Sequence, residues 1–238
     1  MHGPDYTEKI RKLNRKNARE VANGIPPDKR ARLIERMDAL GMTEHQKSAY
    51  FDLVEGNHAG ALVARILHHT KSPMRQNVFE TAFLEYAVST LPDLEVSSLP
   101  NRGPSAIYPL NGKIVRARDA PAGVFLAKSF DFRVRGSLGE ILIATKHTED
   151  EGGSQDNQFR DLVTIAEQSI GMSGHTAILL IADGSFYDRA VSDNDHRSRV
   201  NFLRNMVSGE RQVAAGNGAD LSSLVQRFRT VLDKGHVQ

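Results

Sequence analysis

Apolar positions divide this chain into two stretches of different character. From Tyr6 to about Val21, and again through "PPDKRARLIERMDALG", apolar residues return at helical spacing among charged ones, with proline opening the second run and Gly41 stopping it. "TEHQKSAYFDLVEG" and "HAGALVARILHHT" continue in the same manner, so residues 1–70 are predicted to be mostly helical. "SPMRQNVFETAFLEYAVSTLP" adds another helix, with Ser72 as N-cap, Pro73 at the first helical position and Pro92 beyond its end.

From about residue 94 the apolar runs shorten and β-formers rise. "LEVSSL", "GKIVRAR", "GVFLAKSFDFRV" and "GEILIATKH" read as strands, the last two joined as a hairpin by "RGSLG". After the glycine pair at 152 and 153 come an amphipathic helix, "DNQFRDLVTIAEQS", and "HTAILLIAD", a continuous apolar strand suited to a sheet interior. "HRSRVNFLRNMVS" and "LSSLVQRFRTVLDKG" close the chain as helices. The order predicts an α/β (α+β) architecture over 71–238, a mixed sheet with helices on both sides, preceded by the helical region over 1–70.

Composition excludes several classes. A chain of 238 residues with 39% hydrophobic and 25% charged residues buries a substantial core. No apolar run approaches the roughly 18 to 20 residues of a membrane span, and the first residues lack the apolar centre of a signal peptide; a cytoplasmic protein with no membrane partner is expected. The absence of cysteine rules out disulfides, thiolate zinc sites and thiol nucleophiles, and His68, His69 and His147 show no zinc spacing. Net charge is only +2, but Lys9, Arg11, Lys12, Arg15, Lys16, Arg19, Lys29, Arg30, Arg32 and Arg36 crowd the first 36 residues. That bias could track phosphates; a solvated helix face accounts for it equally well.

Candidate chemistry centres on Lys146, which ends the apolar run "ILIATK". A lysine at the tip of a core strand is costly unless an anion meets it. Alternation puts Ile141, Ile143 and Thr145 on one face and Leu142, Ala144 and Lys146 on the other. On the preceding strand Asp131 stands between Phe130 and Phe132, and the short connection can bring it to the end of the next strand. Asp and Lys placed so would make each other's burial tolerable.

"SFDFRV", a turn, "EILIATK", a polar glycine-containing loop and helix, then "AILLIADG", together resemble the PD-(D/E)xK nuclease superfamily, and type II restriction endonucleases in particular, over roughly residues 73–190. In that family an Asp on one strand and an acid two residues before a Lys on the next hold one or two Mg2+ ions, and the Lys positions or activates the attacking water. The resemblance implies Asp131 as the first acid, Lys146 as the lysine and position 144 as the second metal ligand, where this chain has Ala144. Such a chain is expected to bind magnesium poorly and to cleave weakly or not at all. Either Ala144 is an inactivating substitution of a parental glutamate, or a neighbouring acid takes over; Glu140 has the right parity but lies about 13 Å further along an extended strand, which favours the first explanation.

The family often supplies a further acid from the helix before the strands. Glu80 fits that pattern better than Glu85, although glutamates on such a helix also form its solvent edge. After Lys146, the side chains of Gln155, Asp156, Asn157, Gln158 and Arg160 are of types that read base edges or hold phosphates near a helix start, while Ser154 or Asp156 also suits a helix cap. Beyond the buried strand, Tyr187, Arg189, Arg197 and Arg199 are further candidates for DNA contact. The resemblance thus implies a homodimeric, Mg2+-dependent endonuclease acting on a short sequence in double-stranded DNA, with two-fold symmetry matching palindromic sites. A repair or recombination nuclease of the same fold and a noncatalytic DNA-binding module remain alternatives.

Overall fold

The computed structural model describes residues 3–22, 24–55, 61, 78–124, 126, 128–148, 153–192 and 194–233, the side chains of 153–155 excepted. Two compact units are present: a helical unit, Asp5–Phe79, and a larger unit comprising Met1–Pro4 and Glu80–Gln238. The boundary expected at residue 70, the helix read in "HAGALVARILHHT" beyond Ala61, and the cap at Ser72 and Pro73 lie outside the described residues.

The helical unit contains α1 (Tyr6–Val21), α2 (Pro27–Ala39) and α3 (Glu44–Glu55). Asp5 caps α1 by accepting a hydrogen bond from the Glu8 N–H, Pro27 opens α2, and Gly41 leaves α2 at φ 71°, a left-handed conformation that glycine adopts without strain. Ile25, Met37, Phe51 and Val54 form its core. The buried ammonium of Lys47 is held by Asp38 and Glu44.

The larger unit is built on a five-stranded sheet. In chain order its elements are α4 (Val78–Thr90), β1 (Glu95–Ser98), β2 (Ile107–Leu110), β3 (Lys113–Arg116), β4 (Phe132–Arg135), β5 (Glu140–His147), α5 (Gly153–Ser169), β6 (Thr176–Asp183), α6 (Ser185–Asp188), β7 (Ala190–Ser192), β8 (Asp195–Ser198), α7 (Arg199–Met206), β9 (Val213–Gly216), α8 (Leu221–Arg227) and α9 (Arg229–Leu232). The sheet order is β1-β4-β5-β6-β9, while β2-β3 and β7-β8 form separate two-stranded ribbons. β1, β4 and β5 are antiparallel neighbours; β5, β6 and β9 run parallel, with α5 as the crossover that a parallel connection requires.

Both faces of the central strands are covered, which is why β5 and β6 read as unbroken apolar runs. Leu142, Ala144, Ile178, Leu180 and Ala182 pack with Leu162 and Ile165 of α5 and Leu203 of α7. On the opposite face Ile141, Ile143, Leu179 and Ile181 pack with Phe83 and Ala87 of α4, Leu221 and Val225 of α8, and Leu232 of α9. The alternation expected along "ILIATK" is therefore the one observed. Among the described residues no helix is long and apolar enough to cross a membrane.

Several elements differ from the sequence expectation, three of them for reasons the backbone makes plain. Of the described residues in "GVFLAKSFDFRV", only Phe132–Val134 enters the strand ladder, because Asp131 donates its N–H to the carbonyl of Ile143, already the register partner of Phe132. Two residues then oppose one, the geometry of a bulge, and the chain before it turns away to bond β2 through Phe130 N–H to the Ile107 carbonyl. "HRS" is strand rather than helix, since Ser198 caps α7 through its side chain and the helix begins only at Arg199. β9 was not foreseen, a strand of four small buried residues too short to show a period.

Candidate active site

β5, β6 and β9 are parallel, so their carboxyl ends share one edge of the sheet. Lys146 stands at that edge, one residue before β5 ends. Its ammonium is bonded to Asp161 Oδ2 of α5 at 2.8 Å, and the lysine side chain is only 12% exposed. The bulge re-aims Asp131 toward the same end of β5. Asp131 is 4% exposed; its Oδ2 accepts hydrogen bonds from Thr145 N–H at 2.8 Å and Thr145 Oγ1 at 3.3 Å, and its Oδ1 accepts one from Lys128 Nζ at 2.9 Å.

Asp131 and Lys146 are thus neighbours in an electrostatic sense, but each has its own partner. Burial pushes the Lys146 ammonium below its ordinary range, and the Lys128 charge pushes it further down. The Asp161 hydrogen bond and charge, and then the Asp131 charge, pull the other way without overcoming the burial. Lowering in this direction makes the ammonium a readier proton donor than that of an exposed lysine. The pair of aspartates and pair of lysines form a set of zero net charge at the rim of an apolar core, and their mutual pairing is what makes the burial of Asp131 tolerable.

A cleft of about 380 Å³ opens beside this set and is lined in part by Asn101, Tyr108, Lys128, Ser129, Arg160 and Asp161. Lys128 and Asp161 therefore face both the charged cluster and the opening. Arg160, exposed, adds a further cation to the cleft wall.

Ala144 is 1% exposed and belongs to the apolar cluster with Phe130, Leu142, Leu162, Leu180 and Ala182. Glu140, the alternative acid, is tied to Arg133 at 2.8 Å at the other end of the strand. Glu80 is half-buried in the first turn of α4, and among the described residues no hydrogen bond or ion pair joins it to Asp131 or Lys146. Among the described residues no group of three or more His, Asp or Glu side chains is placed to hold a metal ion.

Several proposed DNA contacts find other employment. Tyr187 is 1% exposed and packs edge-on against Phe186, and burial raises its phenol above the ordinary range; it has no surface to offer DNA. Arg199 is a structural clamp whose guanidinium donates to the Ala190 and Phe186 carbonyls and lies over the Phe186 ring at 4.0 Å. Arg197 forks onto the Asp195 carboxylate, which this contact holds well below the usual range, at about 2. Gln158 accepts from Thr148 Oγ1 at 3.0 Å, fixing the chain just after β5 to α5. Asp156, Asn157 and Arg189 are exposed, with Asp156 3.7 Å from Arg199; the Gln155 side chain lies outside the described residues.

Sequence reasoning missed Lys128 and Asp161. For Asp161 a signal existed: residues 158, 161, 162 and 165 fall on one helical stripe, so Gln158 and Asp161 share the inward face with Leu162 and Ile165. Two polar residues at the head of an apolar stripe point at the sheet edge. Lys128, in a segment without regular structure, left no comparable pattern.

The sequence matches no protein-family model and no curated protein. Among solved structures, one described as Pyrococcus furiosus SfsA in complex with Ca2+ aligns over 61% of this chain and 56% of that one, with 13% identity and a TM-score of 0.28. The alignment spans little more than half of that protein. A likeness so slight carries no statement about chemistry.

Proposed function

We propose that this protein is a Mg2+-dependent endonuclease of the type II restriction kind, cutting double-stranded DNA at a short sequence as a homodimer, with Asp131, Asp161 and Lys146 as its working groups. The observation that carries the reading is the placement of Lys146: at the end of a doubly covered strand, depressed by burial, and set between the Asp161 carboxylate from α5 and the Asp131–Lys128 pair. Position 144 supplies no acid, and its site is filled by apolar packing. Asp161 offers instead a carboxylate to the same lysine from the helix behind the strand.

The donor set fits magnesium, which takes one or two protein carboxylates and completes its shell with water and substrate phosphate. In this structure an ammonium group rests on each carboxylate, so both already accept a positive charge at this edge. Asp131 and Asp161 would hold the ion, which when bound supplies Lewis-acid stabilisation of the charge developing on phosphate. Burial lowers the hold of Lys146 on its proton; once that proton has passed to solvent, the neutral Nζ would accept a proton from a water beside it as the water oxygen attacks phosphorus. Lys128 and Arg160, on the cleft wall, would balance the charge of the phosphates flanking the reacting one. Two-fold symmetry of a homodimer would present two such sites to the two strands of a palindrome.

The test is digestion of a long DNA of known sequence by the purified protein with magnesium, beside D131N, D161N and K146M. Discrete fragments, lost in all three variants, are the expected result. A random smear would leave a nuclease without sequence choice. Intact DNA with tight, sequence-selective binding would replace the enzyme by a DNA-binding module.

A further inference from the structure

Eight of the ten cations in the first 36 residues fall into two sets once folded. Lys29 is paired with Glu20 at 3.0 Å, Arg30 with Glu55 at 2.9 Å while lying over the Phe51 ring, and Arg32 stands 3.9 Å from Asp28. These cations serve the helical unit. Arg11, Lys12, Arg15, Lys16 and Arg19 are different: all are exposed on α1, and among the described residues their side chains hold one ion pair, Lys12 with Glu8 at 3.5 Å. Both members of that pair are solvent-exposed, so it contributes little.

At about 100° per residue the five cations fall within an arc of about 140°, along about 12 Å of helix axis. The opposite side is the one that buries Tyr6, Asn17 and Val21. Arg11 with Arg15, Lys12 with Lys16, and Arg15 with Arg19 are like charges one turn apart, an arrangement that weakens a helix and gains nothing within the chain. Lys12, Arg15, Lys16 and Arg19 line a shallow concavity of about 520 Å³, where the one acid, Glu20, is already engaged by Lys29.

We propose that this stripe is a docking surface for the phosphate backbone of double-stranded DNA, rather than for bases, RNA or lipid. Its length matches three to four phosphates of one strand at about 3.4 Å of axis each. Three of the five are arginines, whose forked donors suit phosphate oxygens. A membrane-binding helix needs exposed apolar bulk beside its charges. α1 contributes none of the exposed large hydrophobic residues. The identity of the polyanion rests on the nuclease reading; the surface itself does not.

The test measures binding of the full chain to a duplex of arbitrary sequence by fluorescence anisotropy, in EDTA, across a salt series. The variant R11Q/R15Q/K16Q/R19Q removes four charges and keeps good helix formers. Its plot of log K against log salt is expected to be shallower by about 3 to 4, at about 0.9 per phosphate contact, with affinity at least tenfold weaker near 100 mM salt. K12R/K16R, which keeps every charge, is expected to bind as wild type, and thermal melts establish that each variant is folded. An unchanged slope in the folded quadruple variant overturns the proposal. So does binding to phosphatidylserine vesicles, or to single-stranded RNA, that is tighter than duplex binding and lost in the same variant. A protein that never cuts with magnesium yet shows the shallower slope sinks the nuclease reading alone; one that cuts normally with the slope unchanged sinks this one alone.

Discussion

Replacing Ala144 by glutamate separates the two ways of completing the site. The family pattern asks for an acid at that position, whereas the structure fills it with apolar contacts to Phe130, Leu142, Leu162 and Leu180 at 1% exposure. Glutamate there adds a methylene and a carboxylate to a close-packed site; overpacking costs about 1–3 kcal/mol. The carboxylate loses water at a further cost of several kcal/mol when unpaired. Lys146 lies two residues on, about 7 Å along the same face, and an extended glutamate that reached its ammonium would recover part of that loss. The net expectation is a destabilisation of about 3 kcal/mol, which for a chain of this size lowers the melting temperature by about 6–12 °C. Cleavage should fall as well, because the new carboxylate competes with Asp161 for Lys146. Differential scanning fluorimetry and digestion of the same DNA, side by side, provide the assay. A melting temperature within about a degree of wild type, together with a tenfold or greater gain in magnesium-dependent cleavage, would show position 144 to be an open ligand position and refute the assignment of Asp161.

Asp161→Asn is expected to lower cleavage at least about 100-fold while leaving the protein folded; retained cleavage in a magnesium titration would count against its role. The lysine behaves oppositely in stability: Lys146 is depressed below its unfolded value near 10.4, so the unfolded state binds more protons between the folded pKa and that value, and stability rises with pH across this window. Urea melts of wild type and Lys146→Met through the alkaline range should converge as pH rises, with the variant the more stable at neutral pH and inactive in cleavage; parallel curves would mean that the lysine titrates as if exposed. Gly139→Ala tests the hairpin, since a Cβ there would lie 2.2 Å from the His175 carbonyl oxygen and 2.5 Å from that of Val231. Both obstacles are backbone, so a loss of about 2 kcal/mol or more is expected in a chemical melt.

Much of the fold was legible because periodicity reports burial. β5 and β6 are covered on both faces and appear in the sequence as unbroken apolar runs of the right length; α1 and α5 show their one-sided burial at helical spacing. What escaped were features set by partners distant in sequence. The start of β4 depends on a backbone bond from Asp131 to Ile143 across the hairpin, and β9 is four small residues whose strand character comes from pairing with β6. The same division holds at the site. Asp131 and Lys146 could be placed together because one short turn joins their strands, but that Lys146 pairs with Asp161 depends on how α5 lies against the sheet. Tyr187 shows the converse error, an aromatic in a polar-looking segment whose burial, at 1% exposure, no local pattern announced.

The pairing within the site also suggests how binding and chemistry are linked. Each aspartate is engaged by a lysine, so a cation arriving at these carboxylates must displace, or share with, an ammonium group already there. Such displacement would lower the hold of Lys146 on its proton further, since the Asp161 hydrogen bond is the strongest influence now raising it. Phosphate entering the cleft would act in the reverse direction, giving Lys128 on the cleft wall a new anion. On the proposed reading, metal alone would meet resistance from the lysines and DNA alone would meet two carboxylates, and together each would remove the other's obstacle. Magnesium affinity should then rise when a duplex is present, and by thermodynamic reciprocity duplex affinity should rise by the same factor when magnesium is present. Calorimetric titrations of the cleavage-deficient Lys146→Met protein would lack half of this coupling, because only the Lys128–Asp131 pair remains to be opened. Equal coupling in that variant and in wild type, the latter measured on a phosphorothioate duplex that resists cutting, would place the linkage outside these four residues.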